Sequence, residues 1–361
     1  MLRSWLARFS PSSRRFHQAL EAHQAGRVAG RFTSMPAEVP HALVRRPLRI
    51  YFWSPRFQPS TVINFERVLP LLREQAAALG LPWHINSGMR LPETPVDWLL
   101  CLKAVPKAGH CPTERSVLLI PDDADRVWGR LRRFGHIVAT SSQTLASLLG
   151  TVHPRVWLVE ETESANCIAQ GESALEHMPP SNRASLLVWH GMRFSLDGLY
   201  ELRPALERFA SETAVELAIV TNLPASTEQW ASLRVRYVPW SSEALAAWSA
   251  QARLGIVPAR PTVTDSYLKP ATRLRCLFAH GCPAIGDSRS PDAAAFCEAC
   301  GVPAANTADE WLAVLRQLWQ QPSRLDEIAR RGHALVRQHY CSTRAATQWL
   351  CFFAGGAEAH L

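Results

Sequence analysis

The stretch best suited to chemistry is a pair of cations at the mouth of a helix. Leu254-Gly-Ile-Val-Pro has the unbroken apolar character of a buried strand, a polar stretch follows over 259–268, and Lys269-Pro270-Ala271-Thr272-Arg273 then enters a helical run that Gly281 stops. The free N–H groups and the dipole of a helix start attract anions. Pro270 suits a first helical position, and Lys269 and Arg273, four apart, would face one anion from the same side of the first turn. Two cations at the positive end of a helix dipole are unfavourable without an anion, so a phosphate is the expected ligand. Asp265, Ser266 and Tyr267 lie on the loop that delivers the chain to this point.

A second candidate is the turn His190-Gly191-Met192-Arg193-Phe194-Ser195 after another apolar run. Gly191 lets a phosphate approach the backbone closely and Arg193 would contact it, while His190 is a weak candidate for catalysis. Earlier in the chain, Asp122 and Asp123 follow the apolar run that ends at Ile120. Either would serve as a base or orient an acceptor hydroxyl, and either would equally cap the helix that follows. Ser54, Arg56 and Ser60 lie in a comparable place after 48–53, where ligands meet the carboxyl ends of parallel strands. No metal is expected. Asp123-Ala-Asp125 falls at a helix start, and Cys297 and Cys300 lie in an alanine-rich helical run without the second Cys-x-x-Cys of a zinc site, which favours small buried hydrophobes.

Two blocks of alternating short apolar runs and helical periods must hold these residues, the pattern of parallel β-α-β units. In the first, strands are expected over 48–53, 83–85, 98–102, 117–120, 136–139 and 156–159, with helices over 62–79, 123–134 and 142–149. In the second, strands are expected over 186–189, 215–221, 235–238, 255–257 and 283–285, with helices over 199–209, 227–233, 243–251 and 271–279. Ser226 with Gln229 and Thr307 with Glu310 have capping-box spacing. A helical tail over 307–353 breaks near Pro322 and Tyr340, and 171–183, with Pro179 and Pro180, has the composition of an interdomain connection.

The run from 254 to 286, closing on Ala279-His280-Gly281-Cys282-Pro283-Ala284-Ile285, resembles the donor-binding segment of group 1 and family 4-like glycosyltransferases, and 309–340 resembles their helical tail. The likeness covers 186–350; over 48–159 it is one of architecture only. It implies the GT-B fold: two Rossmann-like α/β domains facing across a cleft, with a basic N-terminal extension over 1–47, an acceptor domain over 48–170 and a nucleotide-sugar donor domain with the tail over 171–361. It also implies transfer of a sugar from a nucleotide-sugar donor to a glycan or lipid-linked acceptor in cell-surface polysaccharide assembly, with retention of configuration. The nucleotide sugar is then a substrate, and no cofactor is expected. One departure concerns two glutamates, eight apart, that many members carry; alignment on Gly281 puts Leu268 and Cys276 in their places. That loss favours, as an alternative, a non-catalytic relative that binds a nucleotide sugar or a partner.

With 361 residues, 47% hydrophobic and 19% charged, the chain has the size and composition of two globular domains. The net charge of +8 is concentrated at the start: residues 1–49 carry nine arginines against Glu21 and Glu38. A body that tracks nucleic acid needs its cations spread over the fold, so nucleic acid is not the expected partner. Leu2, Trp5, Leu6 and Phe9 form one helical stripe beside Arg3 and Arg8, suited to peripheral contact with an anionic membrane. The apolar run there is too short for a signal peptide and no later one spans a bilayer, so the expected location is cytoplasmic, at the inner face of the membrane. The arm before Leu48 is expected to be dispensable for folding.

Overall fold

The computed structural model describes residues 11–39, 45–107, 115–122, 124–222, 230–260 and 266–356. Two compact units form: residues 1–162 together with 342–361, and residues 163–341.

The first unit is built on a parallel seven-stranded sheet of order β1-β7-β6-β5-β4-β2-β3. The strands are β1 (Thr33–Ser34), β2 (Leu48–Trp53), β3 (Trp83–Gly88), β4 (Trp98–Leu102), β5 (Ser116–Ile120), β6 (His136–Thr140) and β7 (Val156–Val159). Every residue of β4 to β7 is buried, which is why they read as continuous apolar runs. Helices α1 (Pro11–Gln24), α2 (Leu69–Ala78) and α3 (Gln143–Gly150) belong to this unit.

Two expectations are corrected here. The described part of the N-terminal segment is no loose extension. Helix α1 buries Phe16 and Leu20, with Phe16 edge-on to Trp128 at 5.2 Å. β1 pairs with β7, and the Met35 N–H donates to the Leu158 carbonyl at 2.9 Å. Seven arginines in 1–49 besides Arg3 and Arg8 therefore decorate a structural element; the stripe from Leu2 to Phe9 lies outside the described residues. The end of the chain, in turn, does not stay with the second block. Helix α11 (Ser342–Cys351), the last α-helix among the described residues, packs on α2, and Trp349, Phe352 and Phe353 join Phe52 and Trp98 in the first unit's core. Gln348 ties the segments together, donating to the Met35 carbonyl and accepting from the Glu160 N–H.

The second unit has a parallel five-stranded sheet of order β10-β9-β8-β11-β12, made of β8 (Ala184–Gly191), β9 (Glu216–Thr221), β10 (Arg234–Pro239), β11 (Ala252–Val257) and β12 (Ala284–Gly286). Among the described residues its helices of eight residues or more are α4 (Ala165–His177), α5 (Arg203–Thr213), α6 (Ser242–Gln251), α7 (Thr272–Ala279), α8 (Pro291–Cys300), α9 (Ala308–Trp319) and α10 (Pro322–His339). The Thr307–Glu310 capping box opens α9 as expected, and the tail breaks at Pro322 and Tyr340. Ser226 and Gln229 lie outside the described residues. Of the helix expected over 227–233, residues 230–233 are not helical, because Glu207 on α5 takes the Ala231 N–H at 2.8 Å. The stretch 171–183 is not a linker either: α4 runs to His177. Its Gly171 is a packing residue, since a Cβ there would lie 1.9 Å from the Ala279 carbonyl.

Candidate functional site

The carboxyl edge of the second sheet brings together the ends of β8 and β11 and the start of α7. The loop after β11 reaches Lys269, whose N–H donates to the Ser266 carbonyl at 3.4 Å and whose carbonyl accepts from the Ser290 hydroxyl at 3.0 Å. Helix α7 begins at Thr272, with Ala271 at its cap and no side chain capping it. Pro270 is thus not the first helical residue, and Lys269 precedes the helix, so the expected i, i+4 pairing of Lys269 with Arg273 does not form as a helical pair. The N–H groups of Arg273 and Leu274 take no part in the helix's own hydrogen bonds, by its geometry.

Arg273 is the group these elements position. Its Nη2 donates to the Pro258 carbonyl at 3.0 Å, its guanidinium lies 5.8 Å from the centroid of the Trp189 ring, and Nη1 is buried with no hydrogen-bond partner among the described residues. Burial lowers its pKa to about 10; Asp287 opposes that shift and Arg260 adds to it. It stays charged at neutral pH. A Cβ on Gly191 would sit 3.4 Å from that Nη1 and 2.9 Å from the Trp189 ring, so only a glycine lets the turn pack this closely on both. A buried guanidinium nitrogen without an acceptor is costly, and a phosphate or carboxylate oxygen brought to it would satisfy it.

His190 lies under the same turn. It is buried, and burial lowers its pKa to about 4, against its hydrogen bond to the Arg273 carbonyl. The carbonyl can only accept, so Nε2 carries the proton and donates at 3.1 Å. A neutral imidazole spent on the backbone of α7 is a positioning group, which argues against its candidacy as a catalytic base. Arg193 is exposed in a short 3-10 turn, its N–H held by the Asn222 side chain at 2.9 Å. Ser266 is buried and donates to the Arg260 carbonyl, and Tyr267 is half-buried, its pKa raised by burial. Asp265 lies outside the described residues. Asp287, at the end of β12, is 1% exposed and accepts from the Ala259 N–H and from three N–H groups of Arg289; it braces the two strand-end loops and has no carboxylate oxygen left over for a ribose. Leu268 and Cys276 are where glutamates were sought: Leu268 is buried and Cys276 half-buried.

Asn222 and Trp240 were not singled out from the sequence. Trp240 follows β10, is 53% exposed, and donates its N–H to the Thr221 carbonyl, which puts it on the same sheet edge. A large aromatic left in solvent directly after a strand was the available signal. In the first unit, Asp122 sits past the end of β5 in an ion pair with Lys103, which follows β4 in a left-handed conformation (φ 52). Asp123 lies outside the described residues, and helix residues begin at Ala124. Cys297 and Cys300 are buried in α8 with thiol pKa values pushed up to about 12 by burial, and the described residues hold no group of three or more His, Cys, Asp or Glu arranged for a metal.

Residues 202–350 match the family model described as Glycosyl transferase-like. No curated protein matches the chain in sequence. Solved structures similar to it are a glycosyltransferase from Rickettsia africae (TM-score 0.57, 11% identity, covering 85% of this chain and 98% of that one) and HepE of Anabaena in complex with UDP and glucose (0.54, 10%, 84% and 98%). Another is an alpha-glucosyltransferase in complex with UDP-glucose and DNA containing an abasic site (0.56, 12%, 82% and 97%). The chain therefore has the GT-B fold, with a second unit that is glycosyltransferase-like in sequence over most of its length. No described helix is long and apolar enough to cross a membrane.

Proposed function

We propose that this chain is a glycosyltransferase that takes its sugar from a uridine diphosphate donor bound at the carboxyl edge of the second sheet. The observation that carries the reading is the buried Arg273 Nη1 without an acceptor, packed beside Gly191 at a helix start that no side chain caps. The diphosphate lies there in this reading, with Lys269 and Arg193 adding charge and Trp240 offering its face to the base. When the bond between the anomeric carbon and the diphosphate oxygen breaks, negative charge grows on the leaving group. The N–H groups of Arg273 and Leu274 and the Arg273 guanidinium stabilise it without moving, which is electrostatic catalysis by a prearranged site. UDP and UDP-glucose are the ligands named for several of the similar structures, which supports this choice of donor.

The acceptor is a glycan or a lipid-linked glycan, carried by the first unit and used in assembly of cell-surface polysaccharide. Asp122 is the carboxylate there best placed at a strand end to take the acceptor's proton, with Lys103 released from it on binding. Peripheral contact with an anionic membrane at the cytoplasmic face belongs to the same reading and rests on Leu2, Trp5, Leu6 and Phe9 beside Arg3 and Arg8.

A second reading, binding without transfer, is favoured by Leu268 and Cys276 in place of the glutamate pair. Thermal-shift titration with UDP, GDP, ADP and their glucose and N-acetylglucosamine conjugates, followed by assay for release of UDP, separates the two. A ligand held only by the folded protein raises its melting temperature. Stabilisation by UDP and UDP release from one conjugate support the enzyme; stabilisation without release from any conjugate supports the binding protein; no stabilisation by any of them contradicts both.

A further inference from the structure

One face of the β2–β3 pair is left open. Parallel strands are ordinarily joined by a crossover helix that covers the sheet, and the chain leaving β3 must pass back over β2 to reach β4. Residues 89–97 make that passage without a helix, and Pro92 and Pro95 within it disfavour one. In the register of the two strands Arg49 stands beside His84 and Tyr51 beside Asn86, so these four share a face. The other face, with Ile50, Phe52 and Ile85, lies in the core. The loop therefore arches over polar side chains and encloses a cavity of about 590 Å³, lined among others by Arg49, Tyr51, His84, Asn86, Arg90 and Glu93.

The arch is held at both ends. The Tyr51 hydroxyl donates to the Arg90 carbonyl at 2.9 Å, and the Asp97 carboxylate accepts the Arg49 N–H at 2.7 Å. A Cβ on Gly88 would lie 2.4 Å from the Tyr51 hydroxyl, so only a glycine lets the tyrosine take this position. Trp53 comes next on the same face; it is buried, and its indole donates to the Met89 carbonyl at 3.1 Å, which closes the cavity toward the carboxyl edge of the sheet.

The lining selects an anion. Among the described residues the side chains of Arg49, His84, Asn86 and Arg90 enter no hydrogen bond or ion pair, and exposed Arg45 and Arg46 lead into β2. Asp97, beside the cavity, is already engaged by the Arg49 N–H and by Arg115. Two guanidinium groups and an imidazole thus face one carboxylate, Glu93. A phosphate monoester offers three acceptor oxygens and about two negative charges to such a set, where a carboxylate offers two oxygens and one charge. The volume exceeds a bare phosphate, and the Asn86 amide and Glu93 carboxylate would pair the hydroxyls of a polar body attached to it. A hydrocarbon chain would cover the cations without pairing them.

We infer that this cavity binds a phosphorylated sugar, its phosphate held by Arg49, Arg90 and His84, at a site apart from the carboxyl edges of both sheets. The binding does not depend on the glycosyltransferase reading. Calorimetry on the full chain should compare glucose 6-phosphate, inorganic phosphate, glucuronate and glucose. The variants are Arg49→Gln and Arg90→Gln, whose side chains make no contact that folding needs, with Arg273→Met and the exposed Arg234→Gln as controls. Expected is binding of glucose 6-phosphate, more weakly of inorganic phosphate, about tenfold weaker in Arg49→Gln and in Arg90→Gln and unchanged in both controls. The site is refuted if glucose 6-phosphate does not bind, if glucose or glucuronate binds as tightly, or if Arg234→Gln weakens binding as much as the cavity variants do. Loss in Arg273→Met alone would put the phosphate at the second sheet's edge and also refute it. In a parallel arm, phosphatidylglycerol vesicles are sedimented with the same proteins; sedimentation that needs Arg49 and Arg90, without binding of glucose 6-phosphate, would make this face a membrane contact instead.

Discussion

The carboxyl edges of the two sheets carry the same kinds of residue in opposite states. In the first unit the strand-end carboxylates have partners: Lys103 pairs with Asp122, and the Ser141 hydroxyl donates to Glu160 at 2.9 Å. In the second unit the strand-end carboxylate, Asp287, is wholly taken by Ala259 and Arg289, and Arg273 keeps a buried nitrogen without an acceptor. An unanswered cation in a folded interior is a standing cost. It is relieved where something outside the chain supplies the anion, and the proposed phosphate site rests on that difference.

The units also differ in how they are completed, and the largest predicted effect tests that. The first sheet borrows α1 and β1 from the start of the chain and α11 from its end. Phe16→Ala should cost about 3–5 kcal/mol, since Phe16 is 1% exposed and packs on Trp128. Urea unfolding should show the loss in the first unit's transition alone, with UDP affinity of the surviving fold unchanged; a loss below about 1 kcal/mol would mean the N-terminal segment is the dispensable arm its composition suggests.

Next in size is Gly191→Val, which places a branched side chain against Arg273 Nη1 and the Trp189 ring. UDP affinity should fall about 100-fold or more, equivalent to roughly 2.7 kcal/mol, by calorimetry on protein of unchanged circular dichroism. Affinity within twofold of the wild type would move the phosphate elsewhere.

The smallest effect is one in which the units should agree. Burial holds His136 in the first and His190 in the second at pKa values of about 4, below the usual 6.5. Because the unfolded chain takes up the proton first, stability is fully present above about pH 6.5 and declines as pH falls from there toward 4, by on the order of 2–3 kcal/mol for each histidine. Urea midpoints between pH 7.5 and 4.5 should show the decline in both units, and His190→Gln should flatten it in the second only. An unflattened profile in that variant would mean His190 protonates freely in the folded protein.

Much of the fold was legible because fully buried parallel strands are uninterrupted apolar runs: β2, β4 and β7 have the bounds read from sequence. What escaped depends on contacts distant in the chain. Helix α1 shows only Phe16 and Leu20 to the core among polar residues, and nothing local to Thr33 foretells pairing with Trp157. The tail over 307–353 reads as helical, but its sequence does not say which sheet its last helix, α11, covers. The last turns of helix α4 read as part of a connection because Pro179 and Pro180 follow them closely, and Gly171 stands where a hydrophobe would mark the buried face. At the site, Gly191 and Arg273 could be picked out by type and spacing. Whether Lys269 shares their helix turned on where α7 starts, and the surplus state of Arg273 turned on how few acceptors three separate loops bring to it.

The central claim, that Arg273 waits for a phosphate, is tested most directly by Arg273→Met, which keeps the bulk and removes the charge. Its thermal stability should be measured with and without saturating UDP. Without nucleotide the variant should be as stable as the wild type or more so, because an unpaired buried charge has gone. With nucleotide it should lose most of the wild type's upward shift, in line with about 1.5–3 kcal/mol for a charge-assisted contact to phosphate. A variant that is less stable without UDP yet shows the full shift with it would make Arg273 a structural cation and contradict the account.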